Sequence, residues 1–193
     1  MIIETPRLVI RRARAQESDI DLFYTLWTDP QVMKNVGFPS GLKITRQEIR
    51  EIIMKQDQSE FNKPLIIQMH NAGPLIGECK LGLPDNDGIS ETDVKLRPRF
   101  WGKRYGTEVK QSLVDYLFTH TRCIGIKATP NKLNRASQKM QEAVGARKVG
   151  EEQFTFPEHM RHYTNPVSSY IYIVYREDWE LARAKLPGVT GGT

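Results

Sequence analysis

Cysteine is scarce in this chain: Cys79 and Cys123 are the only two in 193 residues. Both sit in apolar or alternating stretches, so buried reduced thiols are expected, not a disulfide or a catalytic thiol. No Cys-x-x-Cys spacing occurs, and no metal site is implied by the cysteines. Long apolar runs are missing as well. The clearest apolar stretches are fragments at 65–67 and 170–175, far short of the roughly 18 residues that a membrane-spanning helix needs. The start, MIIETPRLVIRRAR, has no apolar segment with a small-residue cleavage site behind a basic start. Nothing there reads as a secretory signal, and a cytoplasmic protein with no membrane partner is expected. No internal repeat and no linker composition interrupts the chain.

What is present is an ordinary globular composition, 39% hydrophobic and 26% charged, which suits one compact domain. That domain is expected over 1–186. Residues 187–193, with three glycines and no aromatic residue, are expected to be disordered. Lys plus Arg number 28 against 23 Asp plus Glu, a formal charge of +5. Such a balance points to an anionic partner without choosing among nucleic acid, a membrane surface and a phosphorylated cofactor.

Periodicity orders the elements. A strand is predicted at 7–12 and a helix at 18–27, where Ile20, Leu22, Phe23, Leu26 and Trp27 recur at helical spacing. Thr45-x-x-Glu48 is a capping-box pattern that starts a second helix, with Ile49, Ile52 and Ile53 on its apolar face. Strands at 64–69 and 74–83 flank a glycine-containing loop. The next strand, 91–97, alternates: Thr92, Val94 and Leu96 point one way, Glu91, Asp93, Lys95 and Arg97 the other. A helix at 107–120, a strand at 123–129, a helix at 134–144 closed by Gly145 and strands at 146–154 and 168–175 complete the order. The mixture predicts an α/β sheet that is partly antiparallel and partly parallel.

The segment RPRFWGKRYGTE, 97–108, places two glycines and basic residues between a strand end and a helix start. Such a loop is an anion cradle: its backbone N–H groups and those of the helix's first turn face the ligand, and the helix dipole favours negative charge. It has neither the Gly-x-x-x-x-Gly-Lys-Ser/Thr of a Walker loop nor the Gly-x-Gly-x-x-Gly of a dinucleotide fold. A solvated basic turn, in which Gly102 and Gly106 serve geometry alone, is the alternative.

With ETPRLVIRR at the start, WTDPQVMKNVG at 27–37, PRFWGKRYGTE at 98–108 and NRASQKMQEAVGARKVGE at 134–151, the chain resembles the GNAT superfamily of acetyl-CoA-dependent N-acetyltransferases. The branch it resembles contains ribosomal-protein N-terminal (alanine) acetyltransferases. The resemblance covers most of the chain. It implies a single GNAT-like domain with a central mixed, twisted sheet flanked by helices, and acetyl-CoA as cosubstrate. The family's pyrophosphate pattern, Gln/Arg-x-x-Gly-x-Gly/Ala, falls on Trp101, Arg104 and Gly106, with Gly102, Lys103, Tyr105 and Thr107 completing the loop. Arg104 stands where a glycine is expected. Either its backbone still adopts the required geometry, with the guanidinium pairing a phosphate, or cofactor binding is weakened. The resemblance also implies that pantetheine lies between the strands 91–97 and 123–129, bonded by main-chain groups near Lys95, Leu96 and Arg97.

Chemistry on an amine requires a neutral nucleophile, so a carboxylate, or a water that it orients, should take the amine's proton. Glu91 and Asp93 are the candidates on one strand face, and the resemblance points to Glu91. Many family members use a tyrosine near the departing sulfur, at the position that is Gln141 here. In the branch resembled, Ser137 takes that place, with Asn134 contacting pantetheine; both can equally serve as helix-capping residues. Lys139 can approach the adenosine 3′-phosphate. The cluster at 158–163, with two histidines, suits a polar loop facing the acceptor better than a metal site.

The expected activity is acetyl transfer to a primary amine acceptor, such as a protein N-terminus, a peptide or a small amine, by direct attack and without a metal. The expected assembly is a monomer or homodimer. Two alternatives are a non-catalytic CoA-binding module, if Arg104 and Gln141 mean lost turnover, and a nucleic-acid-binding protein, which the few aromatics among the basic residues make the weakest. Lys95, Arg97, Arg99, Lys103 and Arg104 lie within 94–107 without an acidic residue, five cations equal to the whole net charge. The basic balance therefore reads as one local site for a phosphorylated cofactor.

Overall fold

The computed structural model describes residues 2–55 and 59–185. Alternating apolar residues build one sheet from β1 (Ile2–Glu4), β2 (Leu8–Arg12), β3 (Leu65–Met69), β4 (Leu75–Leu81), β5 (Ile89–Leu96), β6 (Gly125–Ala128), β7 (Arg147–Phe154) and β8 (Val167–Tyr175). Their spatial order is β1-β2-β3-β4-β5-β6-β8-β7. The β5–β6 pair is parallel and the other pairs are antiparallel, so the mixed α/β sheet expected from the element order is present. The helices are α1 (Glu17–Thr28), α2 (Pro30–Met33), α3 (Arg46–Met54), α4 (Tyr105–His120), α5 (Arg135–Ala143) and α6 (Arg176–Ala184).

Because strand side chains alternate, the sheet has a core on each face. Leu65 and Ile67 join Ile10, Ile76 and Leu96 beneath Val109, Leu113 and Leu117 of α4. Ile66 faces the other way, into a second core with Phe23 and Leu26 of α1 and Ile49 and Ile53 of α3. The capping box forms as predicted: Thr45 N–H donates to Glu48 Oε2 at 2.7 Å, and Glu48 N–H to Thr45 Oγ1 at 3.2 Å. Both cysteines are buried and free. Among the described residues, no helix is long and apolar enough to cross a membrane.

Three elements were not expected. β1 is only three residues long. α2 is a single turn, set by Pro30 at its start and by the Asp29 carboxylate accepting from Gln31 N–H at 2.8 Å. α6 buries no residue fully; it is moored by Trp179, whose Nε1 donates to Asp115 at 2.6 Å and whose ring lies 5.3 Å from Phe118. The expectation of disorder at 187–193 falls outside the described residues.

Candidate active site

β5 is the element around which the candidate residues gather. Its pairing with β6 ends at Glu91 opposite Lys127, whereas its ladder with β4 continues to Leu96. Beyond Glu91 one edge of β5 is therefore open. Gly82 N–H donates to the Glu91 carbonyl at 2.8 Å, and Arg97 N–H to the Ile76 carbonyl at 2.8 Å. Antiparallel ladders alternate, so the main-chain groups of residues 91, 93, 95 and 97 turn toward β4 and those of Thr92, Val94 and Leu96 toward the gap. Within the stretch 95–97 it is therefore Leu96 whose main-chain groups face the gap, preceded by those of Thr92 and Val94. The Leu96 carbonyl already accepts from Trp101 Nε1 at 2.8 Å, and Val94 N–H donates to the Asp93 carboxylate at 2.9 Å.

At the end of β5 the chain turns into the glycine-containing loop. Gly102 has φ +73° and Arg104, the N-cap of α4, has φ +61°. Arg104 holds the left-handed geometry that glycine adopts without strain, and it offers no side-chain cap to the helix. The first N–H groups of α4, at Tyr105, Gly106 and Thr107, consequently face outward without a capping side chain. Gly106 answers a different need: a Cβ there would lie 3.0 Å from Met140 Sδ on α5. The loop is tied to the amino-terminal hairpin. Arg7 Nε donates to Glu108 at 2.6 Å, Thr5 Oγ1 to Glu108 at 2.6 Å, and Arg7 Nη1 to the Lys103 carbonyl at 3.2 Å, with the guanidinium 4.3 Å from the Tyr105 ring centre.

Of the five cations assigned by spacing to one anion site, two are elsewhere. The Lys95 ammonium lies on the opposite strand face, ion-paired with Glu78 at 3.2 Å and with Asp93. Arg97 reaches back to the Leu75 carbonyl at 3.4 Å, and burial, helped by nearby Arg99, lowers its affinity for protons. Arg99, Lys103 and Arg104 are exposed and have no carboxylate partner among the described residues. Sequence spacing could not separate them, because the partners of Lys95 and Arg97 lie on β4 and only the register of β4 against β5 brings them together.

The face that holds Lys95 lines a cavity of about 370 Å³ between the sheet and the α1–α2 segment. Trp27, Met33, Val36, Leu42 and Ile52 supply apolar walls; Glu78, Asp93 and Lys95 supply charge. Trp27 Nε1 donates to Glu78 at 2.9 Å. Burial works to lower the Lys95 ammonium, but the Asp93 and Glu78 carboxylates outweigh it and hold it above the usual lysine range. Lost solvation raises the Asp93 carboxyl, yet the Lys95 charge and the Val94 N–H hold it below the usual carboxylate range. Glu91, more than half exposed, borders an adjoining cavity of about 250 Å³, with Lys127 at 3.8 Å and Lys80 at 4.0 Å. The loop after β7 closes over this side: Asn165 N–H donates to the Gly37 carbonyl at 2.8 Å, and Phe156 lies 5.0 Å from Phe38. Among the described residues, no group of three His, Cys, Asp or Glu side chains could hold a metal.

On α5 the two candidates separate. Asn134 is the cap, its Oδ1 accepting from Ser137 N–H at 3.1 Å. Ser137 caps nothing, and its hydroxyl has no partner among the described residues. Gln141 is buried, and its amide oxygen finds no donor. Sequence reading missed Glu78, which no motif marks, and Lys110, which is 1% exposed on α4 and donates from Nζ to Thr92 Oγ1. A lysine among Val109, Leu113 and Val114 on a helix's apolar face was the available signal for the latter.

Comparison with known proteins follows the same lines. A model of the acetyltransferase (GNAT) domain matches residues 7–147. An uncharacterized N-acetyltransferase, p20, of Bacillus licheniformis is 26% identical over 152 residues, covering 76% of this chain and 82% of that protein. A ribosomal-protein alanine acetyltransferase from Vibrio fischeri superposes with a TM-score of 0.73 at 15% identity, covering 93% of this chain and 98% of the other. Spermidine N-acetyltransferase from Vibrio cholerae, solved with CoA and spermine, gives 0.72 at 16% identity, covering 90% and 98%.

Proposed function

The chain belongs to the acetyltransferase (GNAT) family, and we propose, for the workings of this acetyl-CoA-dependent N-acetyltransferase, that the open edge of β5 receives the thioester arm while a primary amine enters from the cavity on the opposite face. The single observation that carries this is the parting of β5 from β6 after Glu91, with a left-handed cradle at one end of the exposed edge and a cavity beside it.

The residues fit an elongated, polyphosphorylated thioester. Trp101, Gly102, Lys103, Arg104, Tyr105, Gly106 and Thr107 would hold the pyrophosphate, through uncapped N–H groups at the positive end of α4 and through the unpaired guanidinium of Arg104. Thr92, Val94 and Leu96 would hold the pantetheine arm through main-chain groups, with Lys95 and Arg97 framing the strand and Asn134 and Ser137 closing the far side. Acetyl-CoA supplies an activated acyl group. The Val94 N–H is suited to bond the acyl oxygen and to stabilise charge developing there, displacing the Asp93 carboxylate that it now holds.

Glu91 is the base in this scheme. It stands where β5 leaves β6, on the cavity face, and among the described residues its side chain has only the looser ion pairs with Lys127 and Lys80 and no hydrogen bond to break before it takes a proton from the amine or a bridging water. Asp93 is a poorer base because Lys95 and Val94 stabilise its charged form; its part is to hold Lys95. The acceptor is a primary amine of protein, peptide or small-molecule origin.

The test is release of free thiol from acetyl-CoA in the presence of N-terminal peptides, amino acids and polyamines, for the native protein, Glu91→Gln and Asp93→Asn. Native turnover with at least one amine and a loss on the order of 100-fold in kcat/KM for Glu91→Gln are expected, general-base contributions being about 10²–10⁴. An unchanged pH profile in Glu91→Gln would remove that residue from the chemistry.

A further inference from the structure

Lys110 has no part in the scheme above, yet its position is costly. It is 1% exposed, on the face of α4 that packs against β5. Among the described residues its three donors meet one side-chain acceptor, the Thr92 hydroxyl, and no carboxylate pairs with it. The charged groups around it are otherwise engaged. Asp93 projects from the far face of β5 and is held by Lys95; Glu108 on α4 is bound by Thr5 and Arg7; Glu142 on α5 accepts from Tyr172 at 3.0 Å. Gln138 and Gln141, the buried polar side chains of α5, are uncharged. Burial, opposed only by Asp93, brings the Lys110 ammonium down to about 7. An apolar side chain would fill the same space without that cost.

The partner it has chosen matters more than the burial. Thr92 is the first residue of β5 beyond the last pair with β6, and its side chain lies on the face opposite Glu91 and Asp93. A proton acceptor and a hydroxyl thus flank the head of the open edge on two sides. A departing thiolate needs a proton; Gln141, whose amide has none to give near neutrality, stands where the resemblance places a tyrosine, and Ser137, the other candidate near the sulfur, has no hydrogen-bonded group among the described residues to resupply its hydroxyl.

We propose that Thr92 and Lys110 deliver the proton to the coenzyme A sulfur, Thr92 as the catalytic donor and Lys110 as the positioning residue that recharges it. The inference rests on the acetyl-transfer scheme above. As the bond between carbonyl carbon and sulfur breaks, its electron pair stays on sulfur. The sulfur takes the Thr92 hydroxyl proton, and the Thr92 oxygen takes a proton from the Lys110 ammonium. The amine's own proton goes to Glu91, and Lys110 is reprotonated from solvent when the cleft empties.

Lys110→Met, Thr92→Val and Lys110→Arg test this, each first checked for folding by thermal unfolding. With an amine that the native protein acetylates, Lys110→Met is expected to fold at least as stably, to lose about 100-fold in kcat with the KM for acetyl-CoA within about threefold, and to lose the alkaline limb of the native kcat profile. Thr92→Val should match it. Arginine keeps the charge but does not release its proton near neutrality, so it should not restore the rate. Calorimetry gives a readout without turnover: the pH dependence of CoA binding between about 6 and 8 should be shallower in Lys110→Met than in the native protein, leaving only what the coenzyme's own 3′-phosphate contributes. A Lys110→Met protein with native kcat and native pH profile, or full rescue by arginine, overturns the proposal while leaving the acetyl-transfer scheme standing. Absence of thiol release by the native protein with every amine overturns both.

Discussion

Arg104 allows strain and ligand binding to be measured separately in one side chain. Its backbone is left-handed, φ +61° and ψ +12°, and its guanidinium is exposed and bonded to nothing among the described residues. The left-handed conformation costs an L-residue roughly 1–2 kcal/mol. Arg104→Gly removes that cost, but glycine also loosens the unfolded chain, offsetting about 0.4–1 kcal/mol. The net expectation is a gain of about 0–1.6 kcal/mol, seen as a rise of at most roughly 6 °C in Tm for a chain of this size. If the guanidinium pairs a phosphate, the same substitution removes a charged hydrogen bond contributing about 1.5–3 kcal/mol, so Kd for acetyl-CoA should rise about 10- to 150-fold. Thermal unfolding without ligand and calorimetry with acetyl-CoA read the two effects, which have opposite signs. Arg104→Ala keeps the backbone cost and loses the guanidinium, so it should bind as poorly as the glycine variant without its gain in stability. Tighter binding by Arg104→Gly would refute the phosphate pairing, and a marked fall in its Tm would show that the side chain supports the fold.

Further substitutions probe the scaffold. Asp19 is fully buried and accepts from Arg11 at 2.7 Å, from Arg14 N–H at 2.8 Å and from Gln16 at 2.9 Å. Burial raises its carboxyl, but these donors outweigh it and hold it below the ordinary 3.8. The stability it contributes is present above that value and lost as pH falls through the lower folded one; Arg11→Ala should cost about 3–5 kcal/mol near neutrality, with a smaller penalty in acid, by urea denaturation. For Lys110 the sign reverses. The native state binds fewer protons than the unfolded chain between about 7 and 10.5, so native stability rises with pH across that window, and Lys110→Met should flatten the rise while adding up to roughly 4 kcal/mol near pH 7. Gly106→Ala should leave stability within about 1 kcal/mol, because helix propensity favours alanine and the Met140 sulfur that it meets ends a flexible side chain; a large fall in Tm would show that this contact cannot yield.

The sequence made the elements and the loop legible because their signals are local. Thr45 and Glu48 are three residues apart and cap the same helix; the alternation from Glu91 to Leu96 is visible in six letters; Gly102 announces a turn. What stayed hidden depends on pairing across the chain. Nothing near Arg7 indicates that it grips Glu108, one hundred and one residues away, although this contact ties the ETPRL start to the cradle. Glu78 carries no motif, and only the register of β4 against β5, Glu78 opposite Lys95, brings it to the cavity. The three unexpected elements are too short or too polar for periodicity to reveal.

The same register explains why counting cations overstated the anion site. On β5, Lys95 and Arg97 are two residues apart and share one face, where their partners come from β4. Lys95 is ion-paired with two carboxylates in the cavity, and Arg97 is spent on the main chain of β4. The cradle therefore depends on Arg99, Lys103 and Arg104, which follow the strand's end and escape its alternation, together with the N–H groups of α4. By the same geometry the cavity is no simple cation trap: its carboxylates Glu78 and Asp93 already share the ammonium of Lys95. In the proposed scheme the acceptor amine arrives beside Glu91, a carboxylate of that face without a hydrogen-bonded partner among the described residues, and the apolar walls formed by Trp27, Met33, Val36, Leu42 and Ile52 would select it.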